Sequence, residues 1–91
     1  DTCFIGTTGF SRDGYFSSQN IYESDTKKQA LGRSRRKILL ADSSKYDTEA
    51  FSVFASLTDI HILISDTGLA DKCDISRLPC EVILAKPGDQ K

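Results

Sequence analysis

The chain is 91 residues long, with 38% apolar and 27% charged side chains and a net charge of −1. That length holds one domain and not two, and the balance is that of a folded chain rather than a disordered or collagen-like one. The near-neutral charge argues against polyanion binding by bulk electrostatics, and apolar runs of at most about five residues exclude a membrane-spanning helix, which needs roughly 20.

The chain has no Met, begins at Asp1 and enters the apolar Cys3-Phe4-Ile5 almost at once. These features are read as those of a piece of a longer polypeptide. A first apolar run covers Thr2 to Ile5. A helix is then predicted from about Ile21 to Arg35. Asn20 is its N-cap and Glu23, three residues on, completes a capping-box pattern. Glu23 and Asp25 in the first turn, with Arg33, Arg35 and Arg36 at the far end, complement the macrodipole. The second run is Lys37 to Ala41. Glu49 to Leu57 fits either a helix or a short strand, since Phe51 and Val53 share a face under period two. The third run is Ile60 to Ile64. A second helix is predicted from Gly68 to Leu78, stopped by Pro79. The fourth run is Glu81 to Ala85, and Pro87 to Lys91 reads as a loose tail.

Three of the four runs are nearly continuous rather than alternating, the pattern of strands buried on both faces of a parallel sheet. The polar segments between them are long enough for crossovers. The expected class is therefore α/β, with a mostly parallel sheet flanked by helices. Cys3 reads as a small core residue. Cys73 and Cys80 are expected as free thiols in a reducing cytosol, with a disulfide between them as the alternative. Three cysteines and one histidine, without a CxxC, do not make a zinc site.

In an open parallel sheet, ligands bind beyond the carboxyl ends of the strands. The residues there are Gly6-Thr7-Thr8-Gly9, Asp42-Ser43-Ser44-Lys45 and Ser65-Asp66-Thr67-Gly68. All three turns can bond a polar ligand, although strand-to-helix turns are rich in such residues in any case. No GxGxxG or GxxxxGK[ST] spacing supports dinucleotide or Walker-type binding, so no cofactor is expected. Asp42 suits sugar hydroxyls and Lys45 suits a phosphate; the other reading of the two is a surface ion pair. Lys27, Lys28, Arg33, Arg35, Arg36 and Lys37 form a basic run without an intervening acid. It is either a nucleic-acid patch or a solvated helix end that balances the dipole. The lack of interleaved aromatics and the spread of bases around the helix favour the second reading. His61, inside an apolar run with no nucleophile motif nearby, reads as a satisfied edge or core histidine.

Taken in order, Phe4-Ile5-Gly6-Thr7-Thr8-Gly9-Phe10, Asp13-Gly14, Glu23-x-x-x-Lys27, Ile38 to Tyr46, Leu57-Thr58-Asp59-Ile60 and Leu63-Ile64-Ser65-Asp66 resemble the sensor domain of DeoR-type bacterial transcription regulators. The resemblance covers about residues 2 to 85, and the Asp-Ser-Ser-Lys-Tyr turn is its most specific part. Tyr46 stands where the family usually has phenylalanine, and Ser65 where it has threonine. The resemblance implies a Rossmann-like sensor fold, similar to ribose-5-phosphate isomerase. Residues 1–86 would form a partial domain and residues 87–91 a tail. It implies a cytoplasmic repressor or related regulator that binds a phosphorylated sugar or similar metabolite and self-associates. Operator DNA would be gripped only through a winged helix-turn-helix outside these residues, and a further ligand-binding loop would lie upstream. Carried over by position, the effector residues are Gly6, Thr7, Gly9, Glu23, Lys27, Asp42 and Lys45. The competing class is a sugar-phosphate isomerase, whose paired aspartates after the first strand are here Thr7, Thr8 and Gly9. Their loss argues for binding without catalysis.

Overall fold

The computed structural model describes residues 1–86, so the tail expected over 87–91 lies outside the described residues. The elements run β1 (Thr2–Gly6), β2 (Gly9–Phe10), β3 (Tyr15–Ser18), α1 (Ile21–Arg33), β4 (Arg36–Leu40), β5 (Ser52–Ser56), β6 (Ile62–Asp66) and β7 (Glu81–Ala85). Short 3-10 turns at Ser43–Lys45, Leu57–Asp59, Thr67–Asp71 and Ile75–Arg77 fill the connections.

Each of the four apolar runs supplies a strand of one parallel sheet, in the order β1-β4-β6-β7. Ile5 pairs with Leu39, Leu39 with Leu63, and Leu63 with Val82. This row faces the main core, where Leu39 and Leu63 are fully buried. Burying each such side chain is worth roughly 1.5–3 kcal/mol. The opposite face is closed only at its centre. Ile38 and Ile62 are buried there, while Phe4 is 62% and Ile83 44% exposed.

Helix α1 starts where the sequence places it. Asn20 sits in extended backbone and its side chain accepts the Glu23 N–H at 2.9 Å. The helix ends at Arg33, two residues before the predicted end, because Ser34 leaves helical backbone and its hydroxyl bonds the Ala30 carbonyl at 2.9 Å. Only Ser24 and Leu31 of the helix are buried, and the Ser24 hydroxyl donates to the Ser52 carbonyl at 3.0 Å.

One expectation is corrected, and one segment left open takes its strand form. The helix predicted over Gly68–Leu78 is two 3-10 turns, so α1 is the one α-helix among the described residues. The reason is local competition: Asp74 accepts the Ser76 N–H at 3.1 Å and its hydroxyl at 2.7 Å, a bond that a continuing helix would forgo. The ambiguous segment Glu49–Leu57 contains a strand, β5, and it pairs with a hairpin that the apolar runs do not reveal. Strands β2, β3 and β5 form an antiparallel sheet, in the order β2-β3-β5. Its loop turns at Asp13-Gly14, with Gly14 at φ +88°. Phe10 and Phe16 stack at 4.7 Å between centroids, and Tyr46 meets Phe10 edge-on at 5.1 Å. These rings bind the small sheet to the segment after β4.

All three cysteines are free thiols and half-buried, and Cys3, Cys73 and Cys80 all pack against the core. Burial pushes the Cys73 and Cys80 thiols up from their ordinary pKa. No described helix is long and apolar enough to cross a membrane.

Candidate binding cleft

Because the four strands run the same way, their carboxyl ends open on one side of the sheet. There the chain leaves a cleft of about 570 Å³, lined by Gly6, Thr7, Ala41, Asp42, Lys45, Ile64, Ser65, Asp66 and Lys86, among others. Every strand of the parallel sheet contributes to its wall. The size is within the range of small-molecule sites.

Each turn is fixed by its own bonds. Beyond β1, the Thr7 hydroxyl donates to the Gly9 carbonyl at 2.7 Å and lies 3.0 Å from that of Ser17. It is therefore spent on holding the turn to the hairpin. Beyond β4, Asp42 caps the 3-10 turn: its Oδ1 accepts the Ser44 N–H at 3.0 Å and also the Ser44 hydroxyl. Its second oxygen has no such bond. The Lys45 ammonium likewise has no hydrogen-bond or ion-pair partner among the described residues.

Asp66, at the end of β6, joins two turns. Its Oδ2 accepts the Ser43 N–H at 2.9 Å and its Oδ1 the Gly68 N–H at 2.9 Å. The Lys72 ammonium donates to the Ser43 carbonyl at 2.8 Å across the same junction. The Ser43 N–H above all, then its hydroxyl, the Gly68 N–H and the Lys72 charge, hold the Asp66 pKa below the usual aspartate value. The approach is close: a side chain at Gly68 would meet the Ser43 Oγ at 2.6 Å and Asp66 Oδ1 at 2.9 Å.

Of the seven residues singled out in the sequence, Gly6, Thr7, Asp42 and Lys45 line the cleft together. Gly9 does not. It lies buried in β2, where an added Cβ would meet the Ser17 Oγ at 2.6 Å and the Ala50 nitrogen at 2.9 Å. Glu23 and Lys27 lie on α1, beside a separate shallow groove with Tyr22 and Thr26. The Lys27 ammonium sits 5.0 Å above the Phe54 ring, and its burial lowers its pKa. The cleft adds Ser65, Asp66 and Lys86 to the set. Lys86 had a legible signal: the rule that picks the residues beyond the first three apolar runs reaches it at the fourth.

A parallel sheet with a cleft beyond the carboxyl ends of its strands is the arrangement in which open α/β folds hold ligands. Residues 1–67 match the family described as the DeoR C terminal sensor domain. The chain belongs to that family, whose members are parts of transcription regulators. It is 41% identical over 66 residues to an uncharacterised HTH-type transcriptional regulator of Bacillus subtilis, YulB, covering 72% of this chain and 26% of that protein. It is also 33% identical over 80 residues to the lactose phosphotransferase system repressor of Staphylococcus epidermidis, covering 88% of this chain and 32% of the repressor. The repressor of the same name from Streptococcus mutans is 42% identical over 55 residues, 60% of this chain and 22% of that protein. The chain thus spans about a quarter to a third of the length of these relatives. No solved structure matches it.

Proposed function

We propose that this chain is the effector-sensing part of a DeoR-type regulator, and that its cleft binds a phosphorylated sugar or similar anionic metabolite without transforming it. On this reading the sheet is part of a Rossmann-like sensor fold similar to ribose-5-phosphate isomerase. The remainder of the polypeptide carries the helix-turn-helix that grips operator DNA, as in a repressor. The observation that carries the reading is that Gly6 and Lys45, 39 positions apart in sequence, line one cleft with Thr7 and Asp42. Lys45 supplies a positive charge for a phosphate, and the uncapped oxygen of Asp42 an acceptor for hydroxyls.

The isomerase reading draws on the presence of two aspartates, Asp42 and Asp66, in the cleft wall. An aldose isomerase needs a carboxylate that takes a proton from carbon, and such bases work best with a raised pKa. Asp66 is held the other way, its carboxylate bonded by two backbone N–H groups. Asp42 spends one oxygen on Ser44. Both act as turn caps, which favours binding over proton transfer.

A thermal-shift screen of sugar phosphates tests the proposal. A ligand at 100 times its dissociation constant should stabilise the protein by about 2.7 kcal/mol, and Lys45→Ala should abolish that shift. A shift untouched by the substitution removes Lys45 from the site. Turnover of ribose 5-phosphate dependent on Asp42 would replace the sensor by an enzyme.

A further inference from the structure

The other end of the parallel sheet has a different chemistry. Around the amino ends of β4 and β6 lie two adjoining grooves. One, of about 410 Å³, is lined by Lys28, Lys37 and His61 above Leu31, Phe54 and Ile60. The other, of about 310 Å³, is lined by Arg35, Arg36, His61, Ile62 and Glu81. His61 borders both, so the two form one continuous surface.

The sequence alone favours reading these bases as a helix end that balances its own dipole. The structure removes most of that explanation. Helix α1 ends at Arg33, the one base in its last turn. Arg35 lies beyond it, and Arg36 and Lys37 are strand residues of β4. None of Lys28, Arg35, Arg36 and Lys37 forms an ion pair among the described residues, where the one such pair, Arg12–Asp47, belongs to the hairpin side. Four unpaired cations lining adjoining grooves repel one another, a cost that an anionic partner relieves.

His61 sharpens the picture. Its Nδ1 accepts the Lys37 backbone N–H at 2.9 Å, and the backbone N–H of His61 donates to the Lys37 carbonyl at 2.9 Å. In its neutral form the ring proton therefore sits on Nε2, leaving a further donor at the junction of the grooves. Two acids border the surface. They are Glu81 and Asp59, whose Oδ2 accepts the Ser56 N–H at 2.9 Å and hydroxyl at 3.2 Å while both acids keep their charge, against four Lys and Arg side chains. The balance is cationic, in a chain whose net charge is −1.

We propose that this amino edge is an accessory DNA-contact surface, on which Lys28, Arg35, Arg36, Lys37 and the Nε2–H of His61 meet the phosphodiester backbone of duplex DNA. Two adjacent guanidinium groups, each able to fork onto phosphate oxygens, suit that partner. The contact carries no sequence information; it positions the sensor against DNA that another part of the regulator reads. The proposal rests on membership in a regulator family and not on what fills the cleft, so either one can fail alone.

The test is fluorescence anisotropy of the 91-residue chain with a labelled 20-base-pair duplex of arbitrary sequence, in salt from 20 to 200 mM. Contact with three or four phosphates gives a log–log salt slope of about −3 to −4. The double substitution Arg35→Ala, Arg36→Ala should weaken binding at least tenfold at 50 mM salt and reduce the slope by about two. Both residues are exposed, and an unchanged thermal midpoint confirms that the variant folds. Arg12→Ala, which removes a cation from the hairpin loop, should leave binding within about twofold. The proposal is overturned if the wild type does not bind at 20 mM salt, or if the double variant binds as the wild type does. It is also overturned if polyglutamate competes as well as DNA at equal charge, which would assign the surface to an acidic protein.

Discussion

The two ends of the parallel sheet are built from the same strands and differ in how their polar groups are used. At the carboxyl end, Thr7 ties the β1 turn to the hairpin, Asp42 caps its own turn beyond β4, and Asp66 joins the turns beyond β4 and β6. At the amino end, Lys28, Arg35, Arg36 and Lys37 stand without ion-pair partners among the described residues. The first arrangement holds a few donors and acceptors in fixed places, which suits recognition of a small molecule. The second presents charge without fixing it, which suits a long repetitive anion. One sheet thereby separates a specific site from an electrostatic one.

The contrast is open to direct attack through two glycines. Gly68→Ala should give the largest effect. The new methyl meets Ser43 and Asp66, which are held by the bonds that join the turns. The expected loss is about 1–3 kcal/mol by chemical denaturation, together with weaker retention of any cleft ligand. An unchanged stability would mean that the two turns are not rigidly joined.

A second experiment titrates the junction. Asp66 has a folded pKa below its ordinary value of 3.8. In the acid range the unfolded chain therefore binds this proton more readily than the folded one. The stabilisation is fully present above about pH 4 to 5 and fades as pH falls through the depressed folded value. Asp66→Asn, which cannot titrate, should be less stable at pH 7 and should lack this part of the acid decline. Parallel curves for the two proteins would contradict the assignment.

The smallest effect belongs to the amino end. Gly32 lies in the last turn of α1 with open space where a Cβ would stand. Gly32→Ala should add up to about 1 kcal/mol of stability and leave ligand retention at the cleft untouched.

Much of this architecture is legible in the sequence, and the parts that are not have physical reasons. The parallel strands are visible because Ile38-Leu39-Leu40 and Ile62-Leu63-Ile64 are unbroken apolar runs, and Asn20 marks the start of α1. The small antiparallel sheet is hidden because its strands are two to five residues long, and β3 buries Ser17 and Ser18 beside Phe16, so no apolar run marks it. Asp13-Gly14 between Phe10 and Phe16 was the available hairpin signal. At the cleft, Gly6, Thr7, Asp42 and Lys45 follow from the rule that ligands lie beyond strand ends. Glu23 and Lys27 entered through a motif instead, and α1 carries them to another groove. The role of Asp66 is invisible in one dimension, because its partner Ser43 is 23 residues away.

The most direct test follows the amide signals of the 91-residue chain by NMR during titration with a sugar phosphate selected in the thermal-shift screen. The largest changes should cluster at Gly6, Thr7, Asp42, Lys45, Ser65 and Lys86, with Glu23, Lys27 and His61 still. Changes centred on the helix or the basic edge, with the strand exits silent, would contradict the cleft as the seat of sensing.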